Sequence, residues 1–405
     1  MELPEIHVLS AAGKPILSTK TGDECSNVSI AGLIQGISSF ADDSLRQIKT
    51  STHILSFLPS PPLLFFCATS STFYGLNVSR LLLLLKHHLL VFLTQNGLSL
   101  IESNPNYDLR NLLYGTHDVL TAIAAAWTQQ IWTQLDDIGV RFWPLAIEAR
   151  RSIQNAIDVS GLVFGLVSCQ GHIVSYKQGH KDHPFRVADV HLLLHVVDKM
   201  PSLKSSESWT PLCLPAFNAS GFLYAYILFV LPNVNVILLS TDQTHFHPLQ
   251  MHVQNTLKPV VLAVMDQMAS RPPRRDLMPL RFQPLLLHYF FQSDRTHEYI
   301  CPEFQDCPML DSPEWRIQLL RTYCTLHIRL HGSLKDERKL GYPLDSSTLP
   351  KATVYFTRTE TMVALGLVKP NGFLYVCCQP LLSAEQANDL ADNLWLFIVQ
   401  DLLTA

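Results

Sequence analysis

The sequence predicts an α+β chain of three modules, each an antiparallel β-sheet flanked by helices. Three observations carry that expectation. A short apolar hairpin around a glycine opens the chain and then recurs, so that Ser10, Gly13, Ile16 and Ser18 align with Ser168, Gly171, Ile173 and Ser175. A Pro-Asn turn joins two apolar runs at Pro232-Asn233 and again at Pro370-Asn371-Gly372. The length of 405 residues suits about two to four domains at roughly 100–200 residues each.

In the first module, spanning 1–140, apolar runs around Gly13-Lys14-Pro15 read as a hairpin. Asn27 suits the cap of a helix running to about Phe40, with Val28, Leu33, Ile37 and Phe40 near one face. Strands are expected near Ile48–Leu58 and Leu63–Thr69, with a third later strand less evident. Helices are expected over Asn77–Thr94 and over Val119–Ile138, where apolar residues recur at helical spacing. The second module, 158–270, repeats the order: strands Gly161–Val167 and Ile173–Tyr176, a helix over Val187–Met200, strands Trp209–Leu214, Phe222–Leu231 and Val234–Ser240, and a helix over Pro248–Met268. A short linker, Arg271-Pro-Pro-Arg-Arg-Asp276, leads to the third module, 277–405. It has strands Leu285–Phe291 and Glu298–Ile300, a helix over Trp315–Leu330, three strands between Ala352 and Cys378, and a helix over Glu385–Leu403. Such modules leave sheet edges open.

Composition narrows the function classes. Hydrophobic residues make up 47% and charged residues only 16%, against about 25% charged in an ordinary soluble protein. That surplus of apolar surface points to an obligate partner or a membrane surface. A net charge of −4 argues against a general nucleic-acid binder. Nine cysteines with no CxxC spacing indicate free thiols in a reducing compartment. The acidic Met-Glu-Leu-Pro-Glu start lacks an apolar signal core, so the expected location is cytoplasmic. The sequons at Asn27, Asn77 and Asn218 are then chance matches. The uncharged run Gly221–Ser240 has the length of a membrane span, but Pro232, Asn233 and Asn235 at its middle favour two buried strands and a tight turn. The run Leu81–Leu93, broken by Lys86, His87 and His88, reads as an apolar helix too short to span.

Motifs for covalent chemistry are missing. No GxxxxGK, GxGxxG, GxSxG or HExxH pattern occurs, so neither a cofactor nor enzyme chemistry is expected. Cys301, Cys307 and nearby His297 have poor metal spacing. His172, His180 and His183 read as solvated loop residues, and His245 and His247 as surface residues. Asp136-Asp137 reads as a solvated helix end, because adjacent helical side chains diverge by about 100°. Arg271, Arg274, Arg275 and Arg281 form a small basic cluster, suited either to a solvated hinge or to acidic lipid.

Several stretches resemble one family. Cys213-Leu214-Pro215-Ala216-Phe217-Asn218-Ala219-Ser220-Gly221-Phe222-Leu223-Tyr224-Ala225-Tyr226 looks like its CLPxFNxSGFLxAxV strand. Asn106-Tyr107-Asp108-Leu109-Arg110-Asn111-Leu112-Leu113 looks like its NYDLRxLL segment. Phe290-Phe291-Gln292-Ser293 with Pro302-Glu303-Phe304 resembles the opening of its third module, and Thr357-Arg358, Phe373-Leu374-Tyr375 and Pro380-Leu381 resemble its C-terminal sheet. The family is the Mon (monensin-sensitivity) family of vacuolar fusion factors, built of longin-like modules. Many members carry a long acidic N-terminal extension, whereas this sequence begins at the first strand.

The resemblance implies an obligate heterodimer with a Ccz-type longin protein. It implies non-covalent guanine-nucleotide exchange on a late-endosomal Rab GTPase, and peripheral recruitment to anionic phosphoinositide membranes of late endosomes, vacuoles or lysosomes. The first modules of the two subunits would pair and dock the GTPase. Carried onto this sequence, the binding region comprises Gly22, Asp23, Glu24 and Asn27 at the strand-to-helix loop, Gln35 on the exposed face of the helix, and Asn106, Tyr107, Asp108 and Arg110. Arg271, Arg274 and Arg275 would face lipid. Asp108 suits a helix cap as well as a binding role, and Tyr107 suits core packing. A longin-type adaptor or tether that binds a GTPase without exchanging its nucleotide is the alternative.

Overall fold

Apolar runs buried on both faces build the centre of the first sheet. The computed structural model describes residues 3–10, 13–19, 24–40, 45–104, 109, 113, 115–143, 145–178, 186–269, 277–331 and 353–402. Strands β1 (Glu5–Ser10), β2 (Pro15–Ser18), β3 (Gln47–Lys49), β4 (His53–Ser60) and β5 (Leu63–Ser70) assemble in the order β2-β1-β5-β4-β3, all antiparallel. The less evident third strand is therefore β3, separated from β4 by a turn that the sequence reading had merged into one run. Along β5, Leu64 and Phe66 face helix α1 (Glu24–Phe40), while Leu63, Phe65 and Cys67 face the opposite layer, as a period of two requires.

The first two domains share a helix. Asn77 caps α2 (Val78–Ser103), its side-chain oxygen accepting from the Arg80 N–H at 3.0 Å. The helix kinks at Thr94, where φ is 57°. Its side chains reach the core of the first domain through Leu81, Leu85 and Leu89, and that of the second through Val91. It is long and apolar enough to cross a membrane, but 61% of its most apolar window is buried in the protein, as a core helix requires. Helix α3 (His117–Trp127) stops well short of the Ile138 expected from periodicity. Thr133 donates its hydroxyl to the Ala126 and Trp127 carbonyls, and the Gln134 amide donates to that of Trp127. These bonds satisfy the last turn's open acceptors, so Ile131, in a separate one-turn 3-10 helix, and Leu135 and Ile138 are buried beyond the end of α3. Asn27 is also not the cap of α1, which starts three residues earlier at Glu24.

The linker after the first domain ties the later sheets together. Strand β6 (Val140–Arg141) is followed by α4 (Ile147–Ala156), strands β7 (Leu162–Cys169) and β8 (His172–Gln178), helix α5 (Val187–Lys199), and strands β9 (Ser208–Leu214), β10 (Ala219–Leu231) and β11 (Val234–Ser240). The second sheet runs β8-β7-β11-β10-β9. Gly221–Ser240 is thus a hairpin within this sheet, β10 pairing antiparallel with β11. On its two faces lie α5 and the pair α6 (Phe246–His252) and α7 (Lys258–Ala269), joined by a π-helical turn.

The third sheet comprises β12 (Leu286–Ser293), β13 (Glu298–Ile300), β14 (Val354–Arg358), β15 (Val363–Lys369) and β16 (Gly372–Cys378), in the order β14-β15-β16-β12-β13-β6. Helix α8 (Pro313–His331) covers one face. Helix α9 (Ala384–Phe397), started by a capping box between Ser383 and Gln386, covers the other. The linker strand β6 pairs in parallel with β13, and the next residue, Phe142, bridges in parallel to Ile173 of β8. The three sheets are distinct, but one short strand closes an edge of two of them. The first and third domains also share a core, with α2 and α3 packed in one cluster with Phe290, Tyr323 and Tyr375.

Candidate functional site

Helix α1 lies on the thinner side of the first domain. Ala31 and Ile34 are buried, and Ile30 and Ile37 half-buried, against Leu9, Phe57, Leu64 and Phe66. The residues at the opposite angle are Gly32, Leu33 and Gly36. Leu33 is 65% exposed, and a Cβ added at Gly32 or Gly36 would meet nothing within 4 Å. The two glycines fall one turn apart on the same stripe, and no charged residue follows Glu24 in the helix. An uncharged helix face with bare backbone lets a second helix approach closely, because no side chain holds it off.

Of the residues expected to bind there, the structure places few. Glu24 is the first residue of α1 and Asn27 lies in its first turn. Gln35 is half-buried rather than on the open face, its side chain 3.2 Å from where a Cβ on Gly13 would stand. Gly22, Asp23, Asn106, Tyr107, Asp108, Arg110, Arg271, Arg274 and Arg275 lie outside the described residues, as do His180 and His183. Leu109 and Leu113 of the matched segment are buried.

A second polar constellation, not read from sequence, lies where the three domains meet. Arg141, on the linker strand, contacts Glu303 at 2.9 Å and donates to the Cys301 carbonyl at 2.8 Å. His172 of the second domain stands 3.4 Å from the same carboxylate, so it is not the solvated loop residue expected. Burial works against the Glu303 carboxylate, yet the His172 hydrogen bond and the Arg141 charge outweigh it and hold the group at about 2. Arg150 pairs with Glu298 at 2.8 Å. Asp136 is bonded to Arg80 rather than to solvent, with both side chains only 17% exposed. His245 holds Ser240 at 2.9 Å, while His247 is exposed.

Neutral imidazoles line the same junction. The Leu84 carbonyl can only accept, so His88 donates to it from Nδ1 at 2.7 Å. His88 Nε2 then accepts from His195 Nδ1 at 2.9 Å. Burial holds His88 down at about 4 and pushes His195 well below its ordinary value. His191 stacks on Trp132 with centroids 5.0 Å apart and donates to the Gly139 carbonyl at 2.9 Å. Trp132, His191 and His195 line, with Arg141, His172 and Glu303, a cleft of about 340 Å³.

The CLPAFN stretch is explained by packing. Buried Asp189 accepts from the Ala216 and Phe217 N–H groups at 3.0 and 2.8 Å, at the start of the one-turn helix Pro215–Asn218. Asn96 of α2 donates to the Ser220 carbonyl at 3.0 Å, pinning the first domain to that turn. Burial raises Asp189 to about 6 despite those two bonds. Cys301 and Cys307 are buried, and burial pushes their thiols up to about 11 and about 12, away from the thiolate form. Among the described residues no three His, Cys, Asp or Glu side chains converge on a metal position.

Comparison with known proteins places each sheet. Residues 5–123 match the first Longin domain of FUZ, MON1 and HPS1, residues 160–258 the second, and residues 285–401 the third. The chain is 27% identical to a vacuolar fusion protein MON1 homolog of Oryza sativa, over 94% of this chain and 70% of the relative. It is 28% identical to the vacuolar fusion protein MON1 of Cryptococcus neoformans, over 96% of this chain and 62% of the relative. With MON1 homolog A of Homo sapiens it shares 26% identity over 93% of this chain and 56% of the relative. The chain thus spans about 56–70% of the length of these relatives.

Proposed function

Because this chain belongs to the longin family of FUZ, MON1 and HPS1, we propose that it acts in vacuolar fusion as one subunit of a guanine-nucleotide exchange factor for a late-endosomal Rab GTPase. Its other subunit is a Ccz-type longin protein, and the pair works on an anionic phosphoinositide membrane during endosome maturation and autophagy. The observation that supports this most is the outer face of α1, where Gly32, Leu33 and Gly36 are open and uncharged. A second longin domain laid against that stripe would bury it and build a composite platform from both subunits.

Such a platform needs no reactive group. A small GTPase can hold nucleotide near picomolar, about −16 kcal/mol. An exchange factor binds the nucleotide-free form more tightly than the loaded form, and linkage makes the weakening reciprocal. Displacing a switch loop and the magnesium site is a matter of contacts. The adaptor reading needs the same surface but not the preference for the empty GTPase. Labelled-GDP release from a panel of Rabs, with the co-purified longin partner present, separates the two. Acceleration on a late-endosomal Rab is expected, and binding without acceleration on any Rab would leave the adaptor.

A further inference from the structure

Sheet edges attract strands, and the edges of this molecule are guarded unequally. An open edge presents unpaired N–H and C=O groups, and folded proteins guard it with proline, lysine, shortness or cover. The edges β13 and β8 are occupied by the linker crossing between them. Strand β2 begins at Pro15 and has four residues, β3 has three and ends in Lys49, and β9 carries Pro211 at its middle. Strand β14, Val354–Arg358, is different: its sequence VYFTR has no proline and no lysine, and four of its five residues are β-branched or aromatic.

The register of β14 shows which backbone groups face outward. The Val368 N–H donates to the Thr353 carbonyl, and the Thr359 N–H donates to that of Met362. Hydrogen-bonded and non-hydrogen-bonded positions alternate in an antiparallel pair, so Thr353, Tyr355, Thr357 and Thr359 spend their groups on β15. Val354, Phe356 and Arg358 turn theirs to the open side, where no described strand pairs with them. Val354 is 51% exposed.

Two cations flank this edge. On the α8 side, exposed Arg329 sits over the Tyr355 ring at 5.8 Å. On the strand itself, exposed Arg358 donates to the Leu382 carbonyl. Neither pairs with a described carboxylate. A second copy of this chain added edge to edge would gather four such arginines at one seam, with like charges opposed. A strand bearing carboxylates would meet complementary charge.

We propose that β14 is a strand-addition site for an extended acidic segment of a partner protein, which pairs with Val354, Phe356 and Arg358 and places apolar residues alternately beside Tyr355 and Phe356. The sheet supplies main-chain hydrogen bonds and the two arginines supply selectivity. This surface lies on the third domain, apart from α1, and stands whether or not the chain promotes nucleotide exchange.

The test uses the full chain and a labelled peptide of about eight residues that alternates pairs of valines with pairs of glutamates, so that each face of the extended strand carries both. A lysine-for-glutamate version and a scrambled version with the valines in one block are the controls. Fluorescence anisotropy should show binding of the acidic alternating peptide only. V354P removes an outward N–H without breaking a bond to β15, and should weaken binding at least tenfold. R329E with R358E should weaken the acidic peptide and improve the lysine one, and the gain with the lysine peptide separates a charge effect from loss of the Tyr355 and Leu382 contacts. Amide exchange on the free chain should be fast at 354, 356 and 358 and slow at 355 and 357. Slow exchange at all five positions, equal binding of acidic and lysine peptides, or self-association abolished by V354P would each overturn the proposal.

Discussion

Replacing Glu303 by glutamine should unfasten the junction of the three domains, and should do so in a pH-dependent way. The carboxylate takes Arg141 from the linker and His172 from the second domain, so it ties three segments at one point. Being held at about 2 instead of its ordinary 4.5 corresponds to roughly 3 kcal/mol at neutral pH, at 1.36 kcal/mol per pH unit. The side chain is 27% exposed, and solvent screening brings the expected loss for E303Q to about 2 kcal/mol. The folded group binds fewer protons than the unfolded one below 4.5. Its contribution is therefore complete above 4.5 and declines as pH falls toward 2. By pH 3.5 about two fifths of the difference should be gone. Urea denaturation of both proteins at pH 7 and pH 3.5 measures this, with limited proteolysis at the linker as a second readout. A wild-type advantage that is the same at both pH values would refute the electrostatic reasoning and leave only a packing effect.

Asp189 should behave in the opposite sense. Its folded value of about 6 lies above the ordinary 3.8, so its contribution to stability grows as pH falls through 6 toward 4, and D189A should abolish that trend while costing about 2 kcal/mol from two bare N–H groups, read by denaturation across that range. G32L with G36L should leave the free chain as stable or about 1 kcal/mol more stable, because leucine is the better helix former, while co-purification with the longin partner is lost. Charge reversal by D23K with E24K should slow GDP release at least tenfold while the two subunits stay together, since a close charge pair at a contact couples by roughly 1.5–7 kcal/mol. Changing Arg271, Arg274 and Arg275 to glutamate should reduce sedimentation with anionic liposomes, and added salt should mimic the change.

Periodicity made much of the fold legible. The hairpins, the Pro-Asn turn of β10 and β11, and the core helices are local patterns, and local patterns survive in a single sequence. The errors have a common origin. Helix α3 was drawn too long because Ile131, Leu135 and Ile138 keep an apolar rhythm, although Thr133 and Gln134 fold back on the helix end. Asp136 was read as solvated because its partner, Arg80, lies 56 residues away. His172 and Arg141 matter through Glu303, which no spacing connects to them. Strand β6, two residues long, and α4, ten, are too short for a period to declare itself. One signal was available: two histidines, His87 and His88, inside a run of leucines mark a helix that buries a polar group, and a buried polar group needs a partner. Of the expected binding residues, only Gln35 has a described side chain, and its place against Gly13 could not be read from a pattern of exposure along a helix.

The linker strand also sets a timetable for the nascent chain. Arg141 and its acceptor Cys301 are separated by 160 residues, so β6 leaves the ribosome long before β13 exists. At about 5–20 residues per second, the wait is roughly 8–30 s. During that interval Val140 and Phe142, both buried in the finished protein, have no third sheet to pair with. The same interval leaves α2 and α3 without the half of their core that Phe290, Tyr323 and Tyr375 supply. Synthesis therefore passes through a stage in which two domains are translated and neither is finished, which makes this chain a natural client for chaperones that shield apolar surface until translation ends.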